Sequence, residues 1–124
     1  MIKLYGIRNC DTVKKARKWL DEHGIEHQFH DFKKDGLSSE LLASWEHSAG
    51  WEALLNRRGT TWRKLPEGAR EGIDAASAHD VILNNPSIIK RPVVEFQGAV
   101  TVGFNADDWA ARFNSLTLAR HHKT

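Results

Sequence analysis

The 124 residues contain one cysteine, Cys10, inside the run YGIRNCDTVKKARKWL from Tyr5 to Leu20. Its immediate company is polar, with Asn9, Asp11 and Thr12, and the apolar recurrence that follows, Val13, Ala16 and Leu20, has helical spacing. Cys10 therefore belongs in a turn between a strand and a helix N-terminus. There, free backbone N–H groups and the positive end of the helix dipole favour an anion. Both lower a thiol's pKa, from about 8.5 toward the ~3.5–7.5 range of such sites, and make a thiolate nucleophile available. Arg8 and Lys14 bring positive charge close in sequence, whereas Lys15 and Lys18 read as a solvated face. The competing reading is a small apolar cysteine buried in a β-α turn; the polar neighbours suit an exposed turn better.

Other chemistries are narrowed by count and spacing. The position three after Cys10 is Val13, so no C-x-x-C switch exists, and one cysteine can form neither an internal disulfide nor a cysteine zinc site. The seven histidines show no H-E-x-x-H spacing and read as surface residues, so no metal site is expected. Two arginine positions are candidates. Arg57-Arg58-Gly59 lies between helical turns, and Arg91-Pro92 precedes a strand. Arginine's planar donors suit oxyanions and carboxylates, so two arginines converging on a thiolate would form a pocket for an anionic substrate. Apart from such convergence each is an ordinary solvated arginine.

The elements that must position these residues follow from pattern. Residues 2 to 7 read as a strand, residues 12 to 23 as a helix stopped by Gly24, and residues 25 to 33 as a second strand of imperfect alternation. This is a β-α-β unit with parallel strands and a right-handed crossover. A helix opens after Ser38, a good N-cap, with Leu37 stapling to Leu42 and Glu40 in the first turn. Short helical turns are expected over 51–55 and 62–65. Two further helices are expected over 67–72 and 77–84, the second capped by Ser77. PVVEF and AVTVGF around Gln97-Gly98 form the clearest hairpin, and Asn105 with Asp108 caps a last helix. The final ARHHKT reads as a frayed tail.

The length suits one domain with its own core. Eighteen basic against sixteen acidic residues leave a net charge of only +2, which gives no reason to expect direct nucleic-acid binding or attraction to an anionic membrane. No run approaches the ~18 apolar residues of a membrane span and none resembles a signal peptide, so the expectation is a cytoplasmic monomer.

Taken together, NCDTVKKARKWL, LLNRRGTTWRKL, IIKRPVV and VGFN, in this order over residues 2 to about 113, resemble the arsenate reductase (ArsC)/Spx family, in its YffB-like branch. The resemblance implies an α/β, thioredoxin-like fold: a four-stranded mixed sheet flanked by helices, with a helical insertion at about 37–85 between the β-α-β unit and the hairpin. It implies Cys10 as the catalytic nucleophile, Arg58 (with Arg57 as the register alternative) and Arg91 as ligands of an oxyanion or a glutathione carboxylate, and Pro92 as a cis-proline. Asn9, Asp11, Thr12 and Lys14 would complete the substrate or glutathione site.

No permanently bound cofactor is implied; glutathione would be a co-substrate and glutaredoxin a possible partner. Arsenate reductases of the glutaredoxin-coupled type carry a third arginine after the hairpin, where this chain has Val102-Gly103-Phe104-Asn105. Losing it removes a charge-assisted contact worth roughly 1.5–3 kcal/mol. The leading expectation is therefore a glutathione-dependent thiol oxidoreductase, with arsenate reduction proper as the alternative. Spx-type regulators share the scaffold and bind the C-terminal domain of the RNA polymerase α subunit, a third expectation to which Gly50 lends a sequence likeness.

Overall fold

The computed structural model describes residues 1–113; the tail reading of residues 119–124 lies outside them. The β-prone N-terminus forms β1 (Ile2–Gly6), and Val13, Ala16 and Leu20 form the buried stripe of α1 (Asp11–Glu22). The second strand is shorter than its pattern suggested. β2 covers His27–Asp31, after which Asp31 accepts hydrogen bonds from the Lys33 and Lys34 N–H groups and turns the chain into a short helix, α2 (Phe32–Asp35). The cap, not the KKDG turn, ends the strand.

The insertion is helical throughout, with α3 (Ser39–Ala49), α4 (Trp51–Leu54), α5 (Thr60–Lys64), α6 (Glu67–Arg70) and α7 (Ala75–Asn84), followed by a 3-10 turn over Pro86–Ile88. Ser38 caps α3 as expected, accepting from Leu41 N–H. Helix α7 starts earlier than expected: its cap is Asp74, and Ser77 is the third residue of a reciprocal capping box. Both side chains satisfy end groups of the helix, and Asp74 precedes the first helical residue, so it holds the cap position.

The chain returns as β3 (Val93–Phe96) and β4 (Ala99–Val102), turning through Gln97 (φ 51°) and Gly98 (φ 78°), the two left-handed residues of a tight hairpin. Asn105 then caps α8 (Ala106–Arg112), accepting from Asp108 N–H. The sheet order is β2-β1-β3-β4, with β1 and β2 parallel and the other two pairings antiparallel.

Each sheet face buries its own core. Ile2, Leu4 and Val94 pack with Val13, Ala16, Leu20, Trp109 and Phe113 under α1 and α8. Tyr5 and Val93 pack with Phe32, Leu42, Trp45, Leu54 and Ile82 under the insertion. Strand alternation assigns neighbouring residues to opposite cores. The carboxylate of Glu95 joins strand to insertion, accepting from Tyr5 Oη (3.0 Å) and Trp45 Nε1 (2.9 Å). Where β1 meets α1 the approach is close: a Cβ on Gly6 would lie 2.7 Å from Val13 Cγ2. Only a glycine lets the strand end sit against the helix that begins at Asp11.

Candidate functional site

The turn between β1 and α1 is pinned at three points. Cys10 N–H donates to the Ile7 carbonyl (3.1 Å), and Lys14 N–H donates to the Cys10 carbonyl (2.9 Å). Asp31 Oδ2 accepts from Arg8 N–H (3.2 Å) across the parallel β1–β2 pair. Asp31 is 8% exposed and accepts three backbone N–H groups in all. Burial pushes its pKa up, but these donors and the Arg8 charge outweigh it, and the carboxyl lies below the usual range.

Cys10 is a free, half-buried thiol at the N-cap of α1, with extended backbone (φ −90°, ψ 125°). The thiol makes no cap hydrogen bond of full geometry, yet the helix N–H groups are aimed at the sulfur. Burial is the largest single influence and pushes the thiol's pKa up. The Val13 N–H, the Arg91 guanidinium through hydrogen bonding and charge, and the Thr12 N–H together outweigh it, and the pKa is lowered. The cation acting on the sulfur is Arg91, from the far end of the chain. Arg8, expected to help from next door, spends its charge on Asp31.

Arg91 is held from the insertion side. Its Nη1 donates to the Ser87 carbonyl (2.8 Å), and its Nε is buried without a hydrogen-bond partner among the described residues. Leu55 bridges Ile89 antiparallel, with Asn56 N–H donating to Ile88 (2.9 Å) and Lys90 N–H to Leu54 (2.8 Å). Arg91 folds back along this bridge toward the end from which Arg57 and Arg58 leave. Pro92 follows through a cis peptide bond and is buried.

Of the residues singled out in the sequence, Cys10 and Arg91 come together, with Pro92 next to Arg91 in the chain. Asn9, Asp11, Thr12 and Lys14 surround the thiol as exposed residues of the turn and first helical turn. Arg58 is exposed, and its guanidinium makes no hydrogen bond or ion pair with the described residues; only its N–H is engaged, by Asn56 Oδ1 (3.2 Å). Arg57 lies over the Trp62 ring, 5.4 Å from its centroid. Among the described residues no cluster of three or more histidine, cysteine or acidic side chains could hold a metal ion, and no helix is long and apolar enough to cross a membrane.

Sequence reasoning missed Asp31 and Ser87, which hold the two halves of the site. An aspartate before Phe-Lys-Lys is the local signal for the first; a backbone carbonyl leaves no signal for the second. Within Val102-Gly103-Phe104-Asn105, the segment after the hairpin, Phe104 packs against Trp109 (4.8 Å between centroids) and Trp19 (6.5 Å), in the same apolar cluster as Cys10.

A four-stranded mixed sheet with one cysteine at the first β-α junction, and a cis-proline next to the arginine that acts on it, defines a thioredoxin-like protein. Comparison with known proteins agrees in detail. Residues 5–112 match the ArsC family, and the chain belongs to it. It is similar to a solved YffB protein at 50% identity, with a TM-score of 0.84, over 90% of this chain and 97% of that one. An arsenate reductase (ArsC) related protein from Brucella melitensis is 53% identical with a TM-score of 0.77, over 90% of this chain and 93% of that one. The global transcriptional regulator Spx of Streptococcus pyogenes is 30% identical over 110 residues, covering 87% of this chain and 81% of the regulator.

Proposed function

We propose that this protein is a glutathione-dependent thiol oxidoreductase acting in a reducing compartment, the cytoplasm, with Cys10 as nucleophile. The observation that carries the reading is a lone free thiol, placed where α1 donors and Arg91 favour its anion. The thiolate attacks the glutathionyl sulfur of a glutathionylated substrate. A Cys10–glutathione disulfide forms, and the substrate leaves as its thiolate. A second glutathione thiolate then attacks the glutathione sulfur of that disulfide. It releases oxidised glutathione and returns the Cys10 thiolate, a step the chain cannot perform alone because it has no second cysteine.

Arg91 stabilises the thiolate, and Arg58 is free to reach a glutathione carboxylate. The β1–β3 ladder ends at Tyr5 opposite Val93, and the backbone beside Pro92, at Arg91, pairs with the cysteinyl part of the tripeptide. Mixing the protein with oxidised glutathione and weighing it intact tests this. Wild type acquires one glutathione, reduced glutathione removes it, and Cys10→Ser acquires none; a wild-type protein that stays unmodified sinks the proposal.

The likeness to Spx favours a second reading, a regulator that binds the C-terminal domain of the RNA polymerase α subunit. Capture by that domain surviving Cys10→Ala would support it. Gly50 adds nothing to it: its φ of 88°, in the left-handed region, accounts for the glycine. Arsenate reduction proper, with glutaredoxin as partner, is tested by arsenate-dependent NADPH consumption in a coupled glutathione assay. The absence of a third arginine from Val102-Gly103-Phe104-Asn105 predicts little turnover.

A further inference from the structure

A cavity of about 290 Å³ opens beside β4, the last strand of the sheet, lined by Lys90, Thr101, Gly103, Asn105, Asp108 and Arg112 among others. It does not contain Cys10, but it borders the site: Lys90 immediately precedes Arg91, and Gly103 N–H donates to the Pro92 carbonyl (2.9 Å). Arg112 reaches in from α8. Its Nη1 donates to Thr101 Oγ1, and its guanidinium lies over the rings of Phe113 (5.1 Å) and Phe96 (5.9 Å). Its Nη2 is buried without a hydrogen-bond partner among the described residues. Such an orphaned, charged donor is costly unless something fills the space before it.

Lys90 also lines the cavity, and a Cβ added at Gly103 would lie 3.6 Å from Lys90 Cε, so its side chain runs close to the glycine. Asp108 adds one carboxylate to the lining. None of Lys90, Arg112 and Asp108 is in an ion pair among the described residues. Two unpaired cations and one unpaired carboxylate around one open cavity complement a group that carries both signs. A free α-amino acid end is such a group: its carboxylate meets Arg112 and Lys90, and its ammonium meets Asp108.

We infer that this cavity is the subsite for the zwitterionic α-amino acid end of the thiol co-substrate, which in glutathione is the γ-glutamyl residue. The inference rests on the proposed glutathione dependence and deepens it. The glycine end of glutathione carries a carboxylate alone and leaves Asp108 unanswered, so the cavity selects the orientation in which the γ-glutamyl residue lies along β4 and the thiol points back to Cys10.

Titrating S-methylglutathione, which forms no disulfide, separates this subsite from the chemistry at Cys10. On the full chain, NMR signals of the Arg112 Nε–Hε and the Trp109 indole are expected to shift to saturation. Arg112→Gln and Lys90→Gln are each expected to weaken binding by about fivefold, as loss of a partly exposed charge contact implies. S-methylcysteinylglycine, which lacks the γ-glutamyl residue, is expected to bind wild type more weakly and to be indifferent to both substitutions. Unchanged S-methylglutathione affinity in both variants, or equal losses for the two ligands, overturns the subsite. Should Arg112→Gln unfold through its packing on Phe96, the exposed Lys90→Gln decides alone. Adduct formation at Cys10 with unchanged affinities refutes only the subsite; absence of any adduct with subsite binding intact refutes only the thiol chemistry.

Discussion

Replacing Arg91 by alanine removes the side-chain cation that acts on the Cys10 thiol. Two unit charges about 4 Å apart attract by about 1 kcal/mol in water-like surroundings and about 4 kcal/mol at the effective dielectric of a protein surface. Cys10 is only half-buried, so the lower figure governs, and salt screens it further. A loss of about 1 kcal/mol lowers the thiolate population about fivefold at any pH below the thiol's midpoint. The gain in basicity works the other way: with a Brønsted slope of ~0.4–0.5, each thiolate of the variant becomes about twofold more nucleophilic.

The two effects predict pH profiles that cross. In iodoacetamide alkylation, Arg91→Ala reacts about two- to threefold more slowly than wild type at the acidic end and about twofold faster at the alkaline end. Arg91→Lys, which keeps the charge without the planar fork that also serves Ser87, falls between. A thermal melt of each variant confirms that the fold is retained. Superimposable profiles, or a variant slower by one factor at every pH, would refute the electrostatic role given to Arg91.

Two further outcomes test the supports of the site. Asp31→Ala leaves three backbone N–H groups without their acceptor, and urea denaturation near neutral pH should show a loss of about 1–2 kcal/mol. Because the folded carboxyl is depressed, its contribution is present above the unfolded value of about 3.9 and is lost as pH falls through the folded one, so the gap to wild type narrows in acid; a constant gap would contradict this. Tyr5 is the chain's single tyrosine, so an alkaline absorbance titration reports it alone. Burial first, then the Glu95 hydrogen bond and charge, push its pKa up to about 12. The neutral phenol therefore stabilises the fold below about pH 10, and the contribution is lost as pH rises through the folded value. Glu95→Gln should bring the midpoint down, and a wild-type midpoint near that of a free tyrosine would be the contrary result.

What the sequence made legible is what local signals encode. The spacing of Val13, Ala16 and Leu20, the Ser38 and Asn105 caps and the Gln97-Gly98 turn each act over a few residues, and each was found where it was read. The errors came where two local signals compete. Asp31 continues a strand pattern and also caps a helix; Asp74 and Ser77 both cap, and the alanines between them carry no periodicity. The approach of Arg91 to Cys10 depends on β3 crossing beside β1, a pairing between positions ninety residues apart such as Leu4 with Val94, which no local pattern encodes. The cis-proline followed from family resemblance, not from the residues themselves.

The bridge between Leu55 and Ile89 has a dynamic consequence. It closes the long helical insertion on itself immediately before Arg91, so the cation's position is secured by the same few backbone bonds that keep the insertion docked. If the insertion opens as one unit, the amides of Asn56 and Lys90 exchange with solvent deuterium at a common rate, and each opening leaves the sulfur without its counter-charge. The reactivity of the thiol is then a population average over docked and undocked molecules. A ligand that grips the insertion far from Cys10 would raise the thiolate fraction without touching it, by RT ln(1 + [L]/Kd) of added docking stability.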